Sequence, residues 1–254
     1  MARGLATGLL VGGLLLTGAC RADTVRVEAT PQVGDRARFR YEIDATVTRA
    51  IDGEPAETTT AVATLLVSQR IVSVTSDGVE ADVTLRRDGG AARTARVRLD
   101  RAGALRGVEL VDGLPGPSLG LSELGSLLPP TVAPPSRALR PGDEWSTAAG
   151  ATEGRGRLVR LGIIDGEEVA VVRTTVAEAI DEDVAAGPSV ATLTGVLRTQ
   201  STVSYDLVDG SLRRSSARSR GAVRARIEAP TGVDAAPVLA TITYDIRVTA
   251  TRLA

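Results

Sequence analysis

The chain lacks several of the side chains on which most enzyme chemistry depends. It has no histidine, and all 30 of its basic residues are arginines because lysine is absent as well. It therefore has no Ser–His or Cys–His nucleophile, no histidine metal ligand, no Schiff-base amine and no phosphate-loop lysine. Carboxylate chemistry of the glycosidase kind and oxygen-ligand metal binding remain. We expect a protein that is not an enzyme and that needs no cofactor or metal.

The single cysteine, Cys20, stands where an export signal would end. Arg3 is followed by an uncharged apolar run from Leu5 to Leu16 and then by small residues. This is the three-part order of a secretory signal peptide, and the run is shorter than the roughly 20 residues of a membrane-spanning helix. A lone thiol in an oxidising compartment would also have no disulfide partner.

The segment Leu16-Thr17-Gly18-Ala19-Cys20 resembles the lipobox of bacterial lipoproteins, in which the cysteine receives lipid. The resemblance implies that residues 1–19 are removed and that Cys20 carries acyl chains such as palmitate. It places the protein on the outer face of the cytoplasmic membrane, or on the outer membrane of a Gram-negative source. Two acyl chains, at ~0.8 kcal/mol per buried methylene, give stable anchoring. The alternative is a secreted protein with an unmodified cysteine near its cleavage site.

Arginines are concentrated near the C-terminal end of the chain. Four of them alternate with other residues, which places them on one face of a strand: Arg218, Arg220, Arg224 and Arg226. Rows of guanidinium groups bind phosphate or carboxylate, so this is a candidate anion-binding face for lipid headgroups or a cell-wall polymer. The alternative is a solvated face whose charges discourage aggregation. The formal net charge of −1 gives no global field that attracts nucleic acid.

Asp181-Glu182-Asp183, with Gly187-Pro188 after it, has the composition of a loop. Carboxylates are calcium ligands, but the segment lacks the glycine and the spacing of an EF-hand loop. We expect a solvated loop rather than a metal site.

Alternating apolar and polar residues predict antiparallel strands along most of the chain. The pattern is clearest in 37–47, where apolar side chains occupy the odd positions, and in 240–251, where they occupy the even ones. Aspartate followed by glycine marks several of the turns. The remaining strands are expected at 58–75, 79–85, 93–99, 105–111, 144–146, 156–164, 169–179, 190–207 and 212–227, and the last strand at 238–252.

Prolines clustered between residues 112 and 142 separate two groups of strands. The predicted divisions are a signal peptide (1–19), a lipidated cysteine and tether (20–32), a first β unit (33–111), a proline-rich connector with one short helix at Ser118–Leu128 (112–142), and a second β unit (143–254).

The two units share an order of features. Gly34-Asp35 and Gly142-Asp143 each precede an aromatic strand, and Asp77-Gly78 and Asp165-Gly166 each turn between valine-rich strands. One explanation is an internal duplication, and the other is that antiparallel proteins reuse Asp-Gly turns. The expected fold class is all-β and mainly antiparallel, with two similar twisted-sheet or half-barrel units.

The segments Pro141–Ser146 and Val72–Val79 together resemble a family of uncharacterised bacterial envelope lipoproteins. Its members combine a Gly-Asp-x-Trp motif, here Gly142-Asp143-Glu144-Trp145, with long strands that end in Asp-Gly. The resemblance covers about residues 33–252. It implies an envelope location and a β fold, and it implies no reaction.

The predicted inward positions use small and aliphatic residues more than aromatic ones. Long curved sheets of this kind can enclose an aliphatic cavity, and lipid-carrier lipoproteins hold acyl chains in such sheets. We therefore expect a non-enzymatic, membrane-anchored envelope lipoprotein that binds a ligand or partner, with a lipid or acyl chain as the most concrete version. The alternatives are a structural or interaction module without a small-molecule ligand and, last, a carboxylate-dependent hydrolase.

Overall fold

A computed structural model provides the structure, which describes residues 24–99, 105–111, 114–115, 134–149, 152–186, 189–230 and 233–253. These residues form an antiparallel all-β fold, which confirms the predicted fold class. Within the described ranges, no helix has the length and hydrophobicity needed to cross a membrane. The predicted signal peptide, Cys20 and the predicted short helix lie outside the described residues.

The described residues contain twelve strands, and every strand predicted from the alternation is among them. Their bounds are β1 Arg36–Ile51, β2 Glu57–Val74, β3 Val79–Arg87, β4 Ala92–Leu99, β5 Leu105–Val111, β6 Leu114–Pro115, β7 Glu144–Ala149, β8 Thr152–Ile164, β9 Glu167–Ala186, β10 Ser189–Asp206, β11 Leu212–Ile227 and β12 Val238–Leu253.

All twelve strands belong to one sheet, in the order β6-β5-β4-β3-β2-β1-β12-β11-β10-β9-β8-β7. Most strands pair with their neighbours in sequence, and the exception joins the two halves. There β1 pairs with β12 along almost its whole length, from Arg38 opposite Leu253 to Ile51 opposite Ala240. The two predicted β units are therefore halves of a single sheet.

Directly opposite residues of an antiparallel pair point to the same side, so the register shows which side chains share a face. Tyr41, for example, stands opposite Leu65 on β2 and Ala250 on β12. Such rows put most of the large apolar side chains on one side, the apolar face, and most charged side chains on the other, the polar face. Across six neighbouring strands the apolar face includes Leu65, Tyr41, Ile246, Val223, Leu197 and Val176, and the polar face includes Thr64, Glu42, Asp245, Arg218, Arg198 and Thr175.

Two glycines on the apolar face allow the sheet to bend sharply between β10 and β11. A Cβ atom added to Gly195 would collide with the carbonyl oxygen of Ala222 and lie 2.9 Å from the Cα atom of Val223. A Cβ atom added to Gly221 would lie 2.5 Å from the carbonyl oxygen of Val196. The backbone of each strand therefore lies over the apolar side of the other strand, at the glycine. The sheet folds toward the apolar face, which is concave, and the polar face is convex.

The N-terminal segment packs against one end of the sheet, which we call the docked end. Val25 and Leu139 exchange two backbone hydrogen bonds of 2.8 Å. Val27 is buried in a cluster with Leu139 and Leu158. Thr30 N donates to the carbonyl oxygen of the β10–β11 turn. The segment that was expected as a tether is therefore part of the folded structure from Val25 onward.

Two turns at the docked end repeat one hydrogen-bond pattern. In the first turn, Gln32 N donates to Asp35 Oδ2 at 2.7 Å, and Asp35 N donates to Gln32 O at 3.1 Å. In the second turn, Arg140 N donates to Asp143 Oδ2 at 3.0 Å, and Asp143 N donates to Arg140 O at 2.9 Å. The aspartate closes the turn in the same way in both halves.

The residue before each aspartate is a glycine that joins its turn to the next strand. Gly34 and Gly142 have φ angles of 97° and 99°, which favour glycine. Gly34 N donates to Ile71 O at 2.9 Å, and Gly142 N donates to Leu158 O at 2.7 Å. A β-bulge begins at each of these two acceptor residues. This shared local geometry supports the predicted internal duplication.

One sequence prediction is wrong: Asp181-Glu182-Asp183 is not a loop. The segment lies inside β9, where Asp183 is opposite Thr192 and Glu182 is opposite Leu193. Thr192 Oγ1 donates to Asp183 Oδ1 at 2.6 Å. Successive side chains of a strand point to opposite faces, so the two aspartates extend from the polar face and Glu182 from the apolar face. Adjacent carboxylates arranged in this way do not converge on a shared cation.

We predict that Gly195→Ala destabilises the protein by about 1–3 kcal/mol, because the added methyl group meets β11 backbone that cannot give way. Urea unfolding followed by circular dichroism would measure this change. Gly90→Ala is the matched control, because its Cβ atom would lie 3.4 Å from the nearest atom, Arg87 O. Equal unfolding midpoints for the two variants would contradict the role of Gly195 in the bend.

Candidate functional site

Within the part of the chain that the structure describes, the concave apolar face is covered at the docked end and uncovered at the other end. Near the docked end, Phe39, Tyr41 and Val248 are 7%, 5% and 5% exposed. Toward the other end, which contains the β1–β2 turn, most of the large apolar side chains are only half-buried, although Val223 is buried. We call this half-buried surface the trough, and it consists of Ile43, Val47, Leu65, Ile180, Leu193, Leu197, Ile242, Tyr244 and Ile246.

A patch of buried hydroxyl groups lies on the same face, between the docked end and the trough. Thr174 and Ser201 share a side-chain hydrogen bond of 2.6 Å, and Thr199 and Ser219 share one of 2.8 Å. Thr174, Thr199 and Ser201 are at most 3% exposed. Because these hydroxyls bond to each other, the patch needs no polar ligand to satisfy its buried groups.

Charged side chains border the trough at its outer end. Arg49 and Glu57 face each other across β1 and β2, with 2.8 Å between Nη2 and Oε2. Glu178 and Glu182 are exposed on β9, opposite Leu197 and Leu193. The trough is therefore an aliphatic surface with a charged rim, which suits a ligand whose buried part is apolar.

The Gly-Asp-x-Trp motif forms part of the docked end. The N–H of Arg140 and the guanidinium of Arg137 donate to Asp143, and they hold the pKa of that carboxyl below its usual value. Trp145 then packs over Gly156, where a Cβ atom would lie 2.6 Å from the indole nitrogen. Among the described residues, that nitrogen is the one buried side-chain polar atom without a hydrogen-bond partner. Trp145 packs against the core, in the cluster that contains Val27.

A buried ion pair holds the turn on which the N-terminal segment rests. Asp206 is 2% exposed and accepts a 2.8 Å hydrogen bond from Arg213 Nε, while a second guanidinium nitrogen also donates to it. Val208 N donates to it at 2.7 Å. Burial alone would raise the pKa of Asp206, but these donors hold it below its usual value. In the same turn, Gly210 lies directly against the backbone of Glu28.

The four arginines predicted as an anion-binding face all extend from the polar face, but they do not form one group. Arg218 binds Asp245 with two nitrogens, and Arg220 Nε lies 3.3 Å from the same carboxylate. Arg226 lies nearer the open end and binds Glu228 at 2.6 Å. Arg224 has no carboxylate within ion-pair distance among the described residues.

The pairing register adds two arginines that the sequence prediction missed. Arg198 on β10 stands directly opposite Arg220, and Arg247 on β12 stands directly opposite Arg218. Hydrogen bonding to Arg218, with a smaller contribution from Arg220, lowers the pKa of Asp245 to about 2. Alternation alone places each arginine on the polar face, whereas their proximity depends on which strands pair.

Comparison with known proteins identifies no family for this chain. No protein-family model matches it, and no curated protein matches it. Among solved structures, it is similar to Ail, the attachment invasion locus protein of Yersinia pestis, at 9% identity and a TM-score of 0.17, covering 87% of this chain and 100% of that chain. It is also similar to OmpTdeltaL8, a loop-deletion mutant of an outer membrane protein of Vibrio cholerae, at 8% identity and a TM-score of 0.20, covering 86% and 99% of the two chains. Such TM-scores support no functional conclusion.

We predict that Asp206→Asn destabilises the protein by about 2–4 kcal/mol, because it removes the buried, hydrogen-bonded carboxylate of Arg213 and leaves only the more exposed Glu167 at 3.9 Å. Urea unfolding at neutral pH would measure the loss. Ser211, in the same turn, accepts from Arg252 at its side-chain oxygen, and Ser211→Ala removes this contact without removing a charge. A loss no larger in Asp206→Asn than in Ser211→Ala would contradict the importance of the ion pair.

The stabilisation by Asp206 should also depend on pH in a defined direction. Its pKa is lower in the folded state than in the unfolded chain, so its contribution is fully present above the unfolded value of about 4 and is lost as pH falls below it. The difference in unfolding free energy between the wild type and Asp206→Asn should be constant between pH 5 and 7, within about 0.5 kcal/mol, and should shrink below pH 4. A difference that grows on acidification would contradict this assignment.

Proposed function

We propose that the protein is a lipid-anchored lipoprotein of the bacterial envelope that binds an acyl chain of a lipid in the trough, and that it has no catalytic role. The observation that supports this most directly is the trough itself. An aliphatic surface remains half-buried on the concave side of a bent sheet, while the buried hydroxyl groups next to it are already hydrogen-bonded. Each methylene of a ligand that packs there gains about 0.8 kcal/mol.

The dimensions of the trough suit one acyl chain. It crosses six strands, from Ile180 on β9 to Leu65 on β2. At a strand spacing of about 4.8 Å, the trough extends about 24 Å when measured across the strands. The hydrocarbon of one leaflet is about 15 Å deep. A chain from a membrane lipid can therefore lie across the trough at full length.

The predicted anchor supports a membrane lipid as the ligand. Cys20 precedes Val25 by five residues, and five extended residues span at most ~18 Å. Lipid on Cys20 would therefore keep the docked end close to a bilayer. The location that we propose is the outer face of the cytoplasmic membrane, or the outer membrane in a Gram-negative source.

We predict that Leu197→Glu weakens binding of the fluorescent fatty acid cis-parinaric acid by at least tenfold, because a carboxylate in the trough must be desolvated by an apolar ligand. The control is Val196→Glu, one residue earlier on β10, whose side chain is 38% exposed on the polar face. Fluorescence titration of the Cys20→Ser protein would measure both. No binding by the parent protein, or an equal effect of the two substitutions, would contradict the proposal and would favour a structural or interaction module.

We also predict that Cys20→Ser abolishes incorporation of a clickable palmitate analogue in cells and moves the protein from the membrane fraction to the soluble fraction. The reason is that the acyl chains on this thiol supply the anchoring free energy. Fractionation followed by in-gel fluorescence would show both effects. A variant that remains labelled and membrane-bound would contradict the assignment of Cys20.

A further inference from the structure

Three pairs of arginines stand directly opposite each other on the polar face of the second half of the sheet. Arg157 faces Arg173 across β8 and β9. The other two pairs lie on neighbouring rows of β10, β11 and β12, where Arg198 faces Arg220 and Arg218 faces Arg247. We call these six side chains the arginine face. Like charges placed directly opposite each other on a sheet are unfavourable, so three such pairs require compensation.

The described carboxylates compensate only part of this charge. Asp245 is shared by Arg218 and Arg220, and Glu144 lies 3.8 Å from Arg157. Among the described residues, no carboxylate lies within ion-pair distance of the other three arginines, which are Arg173, Arg198 and Arg247. Asp44 on β1 also stands directly opposite Arg247. Six guanidinium groups and three carboxylates therefore leave an excess of about three positive charges on this surface, by formal charge at neutral pH. The chain as a whole has a net charge of −1, so this excess is local.

We infer that the arginine face is a second binding site, which takes the phosphate groups of anionic lipid headgroups at a bilayer surface. Guanidinium groups bind phosphate oxygens bidentately, and they are less strongly hydrated than ammonium groups. The six side chains spread over the convex side of five strands, and Arg220 is 59% exposed at its side chain. This geometry suits an extended surface that presents many phosphates better than it suits one enclosed anion.

The choice of a bilayer over a soluble polyanion rests on the proposed anchoring through Cys20, which would hold the arginine face near headgroups. Juxtamembrane basic clusters are attracted to anionic leaflets, and the attraction falls off within a Debye length. The site is otherwise independent of the trough, because the two lie on opposite faces of the same strands.

The test is co-sedimentation of the Cys20→Ser protein with vesicles of phosphatidylcholine and phosphatidylglycerol in a 70:30 ratio, against vesicles of phosphatidylcholine alone. We expect binding only to the anionic vesicles, and we expect it to be lost at high ionic strength. The double variant Arg198→Gln/Arg247→Gln should bind at least tenfold more weakly. It leaves the contacts of Asp245 with Arg218 and Arg220 in place.

The matched control is Arg36→Gln/Arg70→Gln, because these arginines also face each other on the polar face, but on β1 and β2. It removes the same charge outside the arginine face, and it should retain vesicle binding. An equal loss in both double variants would overturn the inference, because it would show a dependence on net charge alone. So would an absence of binding to anionic vesicles.

Two further measurements complete the test. One distinguishes lipid phosphate from soluble polyphosphate, and the other distinguishes the arginine face from the trough. If vesicle binding persists when short-chain polyphosphate is added at matched ionic strength, the result supports a headgroup surface as the ligand. Binding to polyphosphate but not to vesicles would overturn the choice of a bilayer. In Arg198→Gln/Arg247→Gln, binding of cis-parinaric acid should be unchanged, so failure of the arginine face is distinguishable from failure of the trough.

Discussion

The pairing of β1 with β12 fixes the register on which both faces of the sheet depend. These two strands come from opposite ends of the folded chain, and each alternates between apolar and polar residues over most of its length. A slip of one residue would move every apolar side chain of one strand to the polar face, so burial penalises it strongly. Once this central pair is set, the hairpins on either side continue the same rows outward to β6 and β7.

The bend between β10 and β11 makes the apolar side of the sheet concave and the polar side convex. Gly195 and Gly221 let β10 and β11 close toward each other, and the same bend draws Val223 into a 4% exposed position. The docked end is filled by the N-terminal segment, Leu139 and Trp145, whereas no described segment forms an equivalent cluster over the trough. Among the described residues, one end of the concave face is therefore core, and the other end is uncovered.

Local alternation was sufficient to predict the strands, and it predicted the sides to which Arg218 and Arg220 point. It failed at Asp181–Asp183, because three consecutive charged residues interrupt the alternation there although the pairing with β10 continues through the segment. It could not show that Arg198 and Arg247 lie beside those arginines, since that depends on pairing between strands distant in sequence. The bend had a local signal that the prediction did not use, which is a glycine inside each of two long strands.

Charge is also divided between the two sides of the sheet, and this division bears on how the two proposed sites work together. The carboxylates Glu178 and Glu182 lie beside the trough on the concave side, while the arginine face occupies the convex side. A molecule that rests on anionic headgroups through its arginine face therefore turns its trough and acidic rim away from that bilayer. A lipid chain held there would be separated from the membrane that supplied it. That orientation suits a protein that holds a lipid outside the bilayer better than it suits a structural module without a ligand.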